Sequence, residues 1–521
     1  MGERGGHNAA GLMLIALTGG FALSQAYRTV AAIMAPQLQA EFHLDPQALG
    51  IFAGIFHFAF GALQLLMGIG IDLYGVRRTV LLAFPLTIAG SLLSFFSVRF
   101  GWLLTGQALI GIGCAPAFLV CTVFIAQRFP ATRYASLSGI VLGVGGIGML
   151  ATGTPLAWLI EAFSWRAGFL ALAILSTIAW LTIAWFVREA DTPAGSEARA
   201  SAPDGETPAP LSGQPSASLA GDTTERSLGA ALRGFASLLA MRHTWGILGL
   251  ATVSYAAFVS LRGLWLGPLL VDHYGFSLVA SGNVAIAVSV ASMLGPALFG
   301  RADPGHARRR RWIFGCTALS ALSFALLAPA LNPGFDIAVS IVYAVLSGYG
   351  VLQYADVRDA YPASMTGRAL SLFTMALFLG VALMQWLTGV AASMAAARGL
   401  PPFAFAFATI ALMLAAGAVL FALLPQPPAP ERRHAAGPDA ARRAGNQPEG
   451  DKPCARTAPR AVPSPWRPAR SVRPGERPGT LVRRRSSDAR RRRAAVSGHR
   501  RAADARRAYA DVRHPPAGSR A

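Results

Sequence analysis

Two arginines, Arg28 and Arg262, stand in the middle of long apolar stretches of the sequence. Arginine keeps its proton at physiological pH, and placing it at the centre of a membrane helix costs about 2.5–3.5 kcal/mol, so it is expected to face a polar interior. No acidic residue occupies the middle of either stretch to neutralise it. Two guanidinium groups that meet would bind a carboxylate, a phosphate or another oxyanion through paired hydrogen bonds. The pattern predicts an anion site; the alternative is that each side chain reaches the membrane surface or bonds helix carbonyls.

Other polar and aromatic side chains within apolar stretches are candidates for the same substrate site. His57 could take up a coupling proton, because histidine titrates near neutral pH, or it could be a packed, hydrogen-bonded core residue. The remaining candidates either neighbour an arginine in the sequence or lie inside a later apolar stretch. They are Tyr27, Tyr255, Trp265, Tyr349, Gln353 and Gln385. Each of these could instead belong to the packed core, and the aromatic ones could anchor a helix at the membrane interface.

The composition indicates that these residues sit in membrane-spanning helices. The mean hydropathy is +0.45, and only 14% of the 521 residues are charged, against roughly 25% in soluble domains. Twelve apolar runs are each long enough to cross a hydrocarbon core of about 30 Å as a helix. They cover residues 11–37, 47–71, 77–97, 102–127, 134–160, 166–187, 245–271, 278–300, 312–331, 336–356, 369–392 and 401–424. The predicted fold is all-α and integral to the membrane, because the runs are too long and too uniformly apolar for the strands of a barrel.

Four regions follow from the change in composition along the chain. Residues 1–187 and 241–425 hold six runs each. Residues 188–240, rich in Ala, Pro, Gly, Ser and Thr, are predicted to be a linker whose last part, 227–241, lies on the membrane surface. Residues 426–521 are predicted to be a disordered tail, whose 24 Arg and Lys against 8 Asp and Glu account for +16 of the net charge of +21. The basic composition therefore indicates a tail that could contact anionic lipid headgroups, and no specific nucleic-acid partner.

The two halves repeat several landmarks at a nearly constant offset of 231 to 234 residues. The matched pairs are Arg28 with Arg262, Pro36 with Pro268, Asp72 with Asp303, and Pro130 with Pro362. Such internal duplication is typical of membrane transporters. A duplicated six-helix unit predicts two pseudo-symmetric bundles around a central cleft, which could rock to expose the cleft to each side of the membrane in turn.

The loop after the second run has glycine, aspartate and arginine at the spacing G-x-x-x-D-x-x-G-x-R-R. The residues are Gly68, Asp72, Gly75, Arg77 and Arg78. This motif resembles that of the major facilitator superfamily, and the resemblance implies a conformational latch between helices at the cytoplasmic face; the alternative is that the arginines only set the topology. A degenerate copy of the motif surrounds Asp303. Arg28 and Arg262 are similar in position to the two arginines that hold the substrate phosphate in organophosphate:phosphate antiporters of this superfamily.

The arginines of the short loops concentrate on one side, which places both termini and the linker in the cytoplasm of a multi-pass protein of the bacterial inner membrane. The sequence predicts a monomeric secondary transporter of a small solute, an organic or inorganic anion, coupled to a proton or a counter-substrate. No enzyme activity, cofactor or metal site is predicted, and the four cysteines suggest no disulfide framework. The alternatives are a multidrug or metabolite exporter, and a membrane sensor or scaffold that transports nothing.

Overall fold

A computed structural model describes residues 2–188 and 235–425, and the regular secondary structure of these residues is helical. The predicted linker is described only from residue 235, where a short helical stretch runs to residue 239. The tail, residues 426–521, lies outside the described residues. The boundaries of the four regions and the surface position of residues 227–241 therefore stay predictions.

The N-terminal half consists of eight helices. They are α1 (Gly2–Tyr27), α2 (Val30–Phe42), α3 (Pro46–Phe95), α4 (Phe100–Cys114), α5 (Ala117–Arg128), α6 (Ala131–Ala151), α7 (Thr154–Ala162) and α8 (Trp165–Phe186). Three pairs, α1 with α2, α4 with α5 and α6 with α7, each form one long segment that is interrupted near its middle. Helix α3 is two segments that meet at Gly75, whose φ of 80° and ψ of 170° only glycine adopts without strain. The half therefore contains six segments, numbered first to sixth.

The C-terminal half repeats this plan with seven helices. They are α9 (Arg242–Ser260), α10 (Leu278–Arg301), α11 (His306–Leu327), α12 (Pro333–Leu346), α13 (Gly350–Ala360), α14 (Ala363–Ala396) and α15 (Pro402–Leu423). Two π-helical turns, Leu261–Trp265 and Leu269–His273, extend α9 and flank a further short helix of three residues, Leu266–Pro268, and a 3-10 turn, Ser347–Tyr349, joins α12 to α13. In the described residues, eleven helical stretches are long and apolar enough to span a membrane. The remaining segment is α11, which opens with the four arginines 308–311. The predicted all-α fold, with twelve helical segments that are six in each half, is confirmed.

The segments of the C-terminal half are numbered seventh to twelfth. In each half, the first and the fourth of the six segments are irregular at their middle. The first is interrupted at Arg28 and Thr29, and the fourth between α4 and α5. In the second half the seventh segment contains the two π-helical turns and the tenth contains the 3-10 turn. Irregular backbone at membrane depth is stable only where it is buried in protein or lines a polar cavity. Both Arg28 and Arg262 lie at such an irregularity, so the duplication predicted from the sequence also covers the local backbone.

Three interfaces join the two halves, and glycines let the backbones come close in each. Each interface is called a seam and is named after the two segments that meet in it. In the 1/7 seam, a Cβ atom added to Gly267 would collide with the carbonyl of Ala32. In the 2/11 seam, α3 and α14 meet where a Cβ on Gly50 would lie 3.2 Å from Cα of Gly389. In the 5/8 seam, a Cβ on Gly282 would lie 2.8 Å from the amide nitrogen of Thr154. The three close approaches all lie between the middle of the segments and one end of the molecule.

The end of the molecule near which the three seams are closest is called the far end. The opposite end is called the basic end, because it carries the arginine-rich loops around residues 75–78 and 301–311. Hydrogen bonds also join the halves at the far end, from the Gln47 amide to Ser393 Oγ (2.9 Å) and from Thr154 Oγ1 to Asn283 Oδ1 (2.5 Å). Towards the basic end, no atom lies within 4 Å of a Cβ built on Gly143 of α6. The two halves are therefore held together at the far end.

Candidate functional site

Arg28 lies in the 2/11 seam and is 8% exposed. Its guanidinium carbon is 4.8 Å from the ring centroids of both Phe60 on α3 and Phe378 on α14. Its Nη1 atom donates one long hydrogen bond, 3.4 Å, to the hydroxyl of Tyr255 on α9. The Nε atom is buried and has no acceptor among the described residues. Most of the five donors of this guanidinium are therefore free to bind another group.

The positive charge of Arg28 is not neutralised by a protein carboxylate. The ion pairs of the described residues join other arginines and His306 to acids, and Arg28 takes part in none of them. The two phenylalanine faces stabilise the cation by about 0.5–2 kcal/mol each, which is less than a buried charge loses on leaving water. An anion entering the seam would offset that loss.

His57 and Gln385 bring unused polar atoms to the same seam. The Nδ1 atom of His57 is 3.1 Å from the carbonyl of Ala53, which leaves Nε2 buried without a partner. Gln385 is fully buried, and neither its amide oxygen nor its amide nitrogen has a partner in the described part of the chain. The His57 ring and the Gln385 amide lie next to each other, and His57 also lies close to the positive charge of Arg28. The structure thus brings together four residues that were predicted from the sequence, including Tyr255.

Arg262 lies in the 5/8 seam and is fully buried. Its Nε atom donates to the Ala285 carbonyl (3.0 Å) and to Ser289 Oγ (2.9 Å) on α10, and Nη2 donates to the Met149 carbonyl (3.0 Å) on α6. The Arg28 and Arg262 guanidinium groups share no partner, although a Cβ on Gly263 would lie only 2.9 Å from the Arg28 carbonyl. Arg262 therefore bonds helix carbonyls, which was the alternative considered for it, and ties the two halves together.

The remaining candidates for the substrate site form their hydrogen bonds within one half. In the N-terminal half, the Tyr27 hydroxyl lies 2.6 Å from Ser91 Oγ and 3.1 Å from Ser176 Oγ. In the C-terminal half, Trp265 donates to Thr388 (2.9 Å), Tyr349 accepts from Thr317 (3.0 Å), and Gln353 accepts from Ser254 (2.9 Å). The aromatic faces around Arg28 were missed from the sequence, because phenylalanine inside a membrane helix gives no signal of its own.

The predicted N-terminal latch is a tight turn at the basic end. Gly75 makes the turn with its positive φ, and Arg77 Nη2 donates to the Ala184 carbonyl of α8 at 3.1 Å. Arg78 is exposed, and a Cβ on Gly68 would lie 3.9 Å from Leu119. The side chain of Asp72 lies outside the described part. Arg77 thus ties the loop to the sixth segment.

The degenerate C-terminal copy forms the fuller network. Asp303 accepts hydrogen bonds from Arg309 Nε (3.1 Å) and Nη2 (2.8 Å), and Arg309 Nη1 donates to Asp359 Oδ2 (2.5 Å) on α13. Gly305, with φ 78° and ψ 166°, adopts nearly the same conformation as Gly75. The sequence comparison included Arg309 among the arginines 308–311 but missed Gly305 and Asp359, because one residue fewer separates the aspartate from the following glycine in this copy. The need for glycine at a positive φ is the signal that would have found it.

Replacing Arg309 is expected to destabilise the protein. The side chain of Arg309 is 7% exposed and those of its acids 29% and 23%, so Arg309→Gln should lower the free energy of unfolding by about 2 kcal/mol, less than for a fully buried pair. Arg308→Gln, at the exposed neighbouring position, where the arginine forms no ion pair with either acid, is the matched control and should have no effect. Thermal unfolding of the purified protein in detergent would measure both, and equal unfolding temperatures for the two variants would contradict the prediction.

The same network predicts how this stability depends on pH. The hydrogen bonds and the charge of Arg309 hold the pKa of Asp303 below its usual value. The contribution of the pair is therefore complete above the ordinary aspartate pKa of about 4 and is lost as the pH falls further. The unfolding temperatures of wild type and Arg309→Gln should converge on acidification, and a constant difference would contradict this assignment.

Two six-helix halves, broken helices at membrane depth and glycine-lined seams define a membrane protein of the transporter class. The sequence model of the Major Facilitator Superfamily matches residues 16–384, so the chain belongs to this superfamily, whose members are transporters and not enzymes. Among solved structures, a D-xylose-proton symporter aligns with a TM-score of 0.59 at 15% identity, over 80% of this chain and 98% of that one. A nucleoside transporter aligns with a TM-score of 0.60 at 14% identity, over 80% and 99%. At these identities the likeness shows the fold alone.

Curated relatives match over shorter stretches. A hexuronate transporter of Bacillus subtilis (strain 168) is 27% identical over 162 residues, which are 30% of this chain and 37% of the relative. The facilitated glucose transporter member 10 of solute carrier family 2 from Mus musculus is 26% identical over 328 residues, 59% of this chain and 55% of the relative. The chain thus matches between about a third and about half of the length of these relatives.

Proposed function

We propose that this protein is a secondary transporter that carries a small organic anion across the bacterial inner membrane by alternating access, with both termini in the cytoplasm. The observation that carries the proposal is the guanidinium of Arg28, buried in the 2/11 seam with no acid beside it and most of its donors unused. A permanent, unpaired positive charge at membrane depth marks a site for a negatively charged ligand.

The surroundings of Arg28 suit a carboxylate with hydroxyl groups. A carboxylate could take two parallel hydrogen bonds from the guanidinium. The rings of Phe60 and Phe378 exclude water from the site, which strengthens the attraction between the charges. His57 Nε2 and the amide of Gln385 have no partner in the described residues and could bond the hydroxyls. The name of the Bacillus subtilis relative, a hexuronate transporter, supports the same class of cargo, since a hexuronate is a sugar carboxylate.

The seams suggest how the cargo would move. The glycine contacts and hydrogen bonds at the far end close that end, whereas a Cβ on Gly143 of α6, towards the basic end, would meet no atom within 4 Å. Cargo would then exchange through the basic end, which the excess of arginine places in the cytoplasm. Opening of the far end requires the two halves to rock apart at all three seams. A proton or a counter-substrate would drive the cycle.

The test is a ligand screen on the purified full-length protein, followed by uptake into liposomes. D-glucuronate is expected to raise the unfolding temperature, since a ligand at about 100 times its Kd stabilises the folded state by about 2.7 kcal/mol. D-glucose and uridine, a sugar and a nucleoside that carry no charge, are the controls. Stabilisation and uptake of a neutral sugar or nucleoside, with no effect of any carboxylate or phosphate, would overturn the proposal.

A further inference from the structure

A second buried charge lies inside the C-terminal half, at Asp356 on α13. Asp356 is 3% exposed. Its Oδ2 atom is 3.5 Å from Nη1 of Arg310 on α11, and that nitrogen makes no hydrogen bond with the described residues. The guanidinium of Arg310 is instead stacked 4.0 Å from the ring of Phe421 on α15. The pair is therefore loose, and the Asp356 carboxylate depends on Arg310 staying close to remain ionised.

Asp356 borders a small cavity with unused donors. The cavity has a volume of about 10 Å³, which is room for about one water molecule. Its wall combines Asp356 and Gln353 with apolar side chains of α9, α11, α14 and α15. The Nε2 atom of Gln353 is buried without an acceptor in the described part of the chain, like Nη1 of Arg310. The Gln353 amide and the Asp356 carboxylate in the wall of a space of this size suit a bound water that can pass a proton to the acid.

A polar path connects Asp356 with the anion site. Gln353, one turn before Asp356, accepts a hydrogen bond from Ser254 on α9 (2.9 Å). The next residue on α9 is Tyr255, which accepts from Arg28 (3.4 Å). Neighbouring residues of α9 therefore contact Arg28 on one side and Gln353, which shares a cavity with Asp356, on the other.

The groups that face Asp356 allow a change of protonation when α13 moves. The charged neighbours are Arg310, Arg309 and His306 on α11 and Asp359 on α13 itself. Arg309 is already bound to Asp303 and Asp359, so Arg310 is left as the counter-charge. The 3-10 turn before α13 and the π-helical turns of the seventh segment are irregular points of the backbone at which α13 and the seventh segment can shift.

We propose that Asp356 is the proton-binding site that couples anion transport to proton movement. A proton from water on one side binds the carboxylate, crosses as the neutral acid, and leaves to water on the other side. Protonation removes a negative charge from the C-terminal half and so strengthens the attraction for an anion at Arg28, which favours movement of proton and anion in the same direction. This inference rests on the proposed function for the nature of the cargo.

The first part of the test needs no ligand. Infrared difference spectra of the full-length protein, recorded between about pH 4 and about pH 8, should show a carboxylic-acid C=O band that Asp356→Asn removes and Asp356→Glu shifts. Asp336→Asn is the matched control: Asp336 is 1% exposed in the same half, but it bonds Tyr274 (2.5 Å) outside this path. A spectrum of Asp356→Asn identical to that of wild type would overturn the proposal.

The second part uses D-glucuronate in liposomes with a proton gradient. Wild type and Asp336→Asn should accumulate it, whereas Asp356→Asn should only equilibrate it and still exchange it across the membrane without a gradient. An ion pair with a purely structural role would reduce exchange and accumulation together, and proton-driven accumulation by Asp356→Asn would also overturn the proposal. If neither wild type nor any variant carries D-glucuronate, this sugar acid is not the cargo, and the infrared result alone decides whether Asp356 titrates.

Discussion

The Arg28→Gln variant is expected to lose anion uptake by about 100-fold or more. Removing one partner of a buried, hydrogen-bonded charge pair costs about 2–5 kcal/mol, and each 1.4 kcal/mol corresponds to about tenfold in affinity. Glutamine keeps hydrogen-bonding capacity without the charge. The thermal stability of the ligand-free variant should not fall, because the substitution removes a buried charge that no acid neutralises.

Arg262→Gln is the variant to compare with Arg28→Gln, because it replaces the other buried arginine and is expected to affect stability. Nε and Nη2 of Arg262 donate to Ala285, Ser289 and Met149, whereas Nη1 has no acceptor among the described residues, so loss of the side chain leaves buried acceptors without partners and should lower the unfolding temperature. Arg28→Lys keeps the charge but loses the paired hydrogen bonds, and should retain part of the uptake. Uptake by Arg28→Gln within a few-fold of wild type, at equal amounts of protein in the membrane, would remove the basis for an anionic cargo.

The second large effect is expected at Gly282, in the 5/8 seam. A Cβ there would lie 2.8 Å from the Thr154 amide and 3.0 Å from the Gly153 carbonyl carbon, and backbone atoms cannot rotate away as a side chain can. Gly282→Leu should therefore keep the far end from closing and nearly abolish transport. A shift of about 3 kcal/mol in the balance between the open and closed far end changes their ratio by about 100-fold.

Gly315→Leu is the matched control for this substitution. No atom lies within 4 Å of a Cβ on Gly315, which lies in α11 away from the three seams. A cysteine at Asn283→Cys, probed with a membrane-impermeant maleimide from the far side, should react faster in the Gly282→Leu background than in the Gly315→Leu background. Normal uptake by Gly282→Leu, or equal labelling in the two backgrounds, would contradict a closed far end in this structure.

The candidate site was only partly predictable, and the reason differs from residue to residue. Arg28 is conspicuous in the sequence because a charged residue within an apolar run is rare, whichever direction its side chain faces. Phe60 and Phe378, which flank it, are indistinguishable from lipid-facing phenylalanines until the rotation of α3 and α14 is known. Asp356 gave no signal, since it falls near the end of its run beside Arg358, where charged residues are common.

The sequence by itself determined the twelve spans, the duplication and the superfamily motif. In lipid each helix must satisfy its own backbone hydrogen bonds, so apolar length alone specifies a span. Only the tertiary structure decided that Arg28 and Arg262 occupy different seams, that Gly305 replaces a missing motif glycine, and that Asp356 faces Arg310. These relations depend on the rotation and approach of helices that are far apart in the chain, which are set by packing between segments and not by the composition of any one of them.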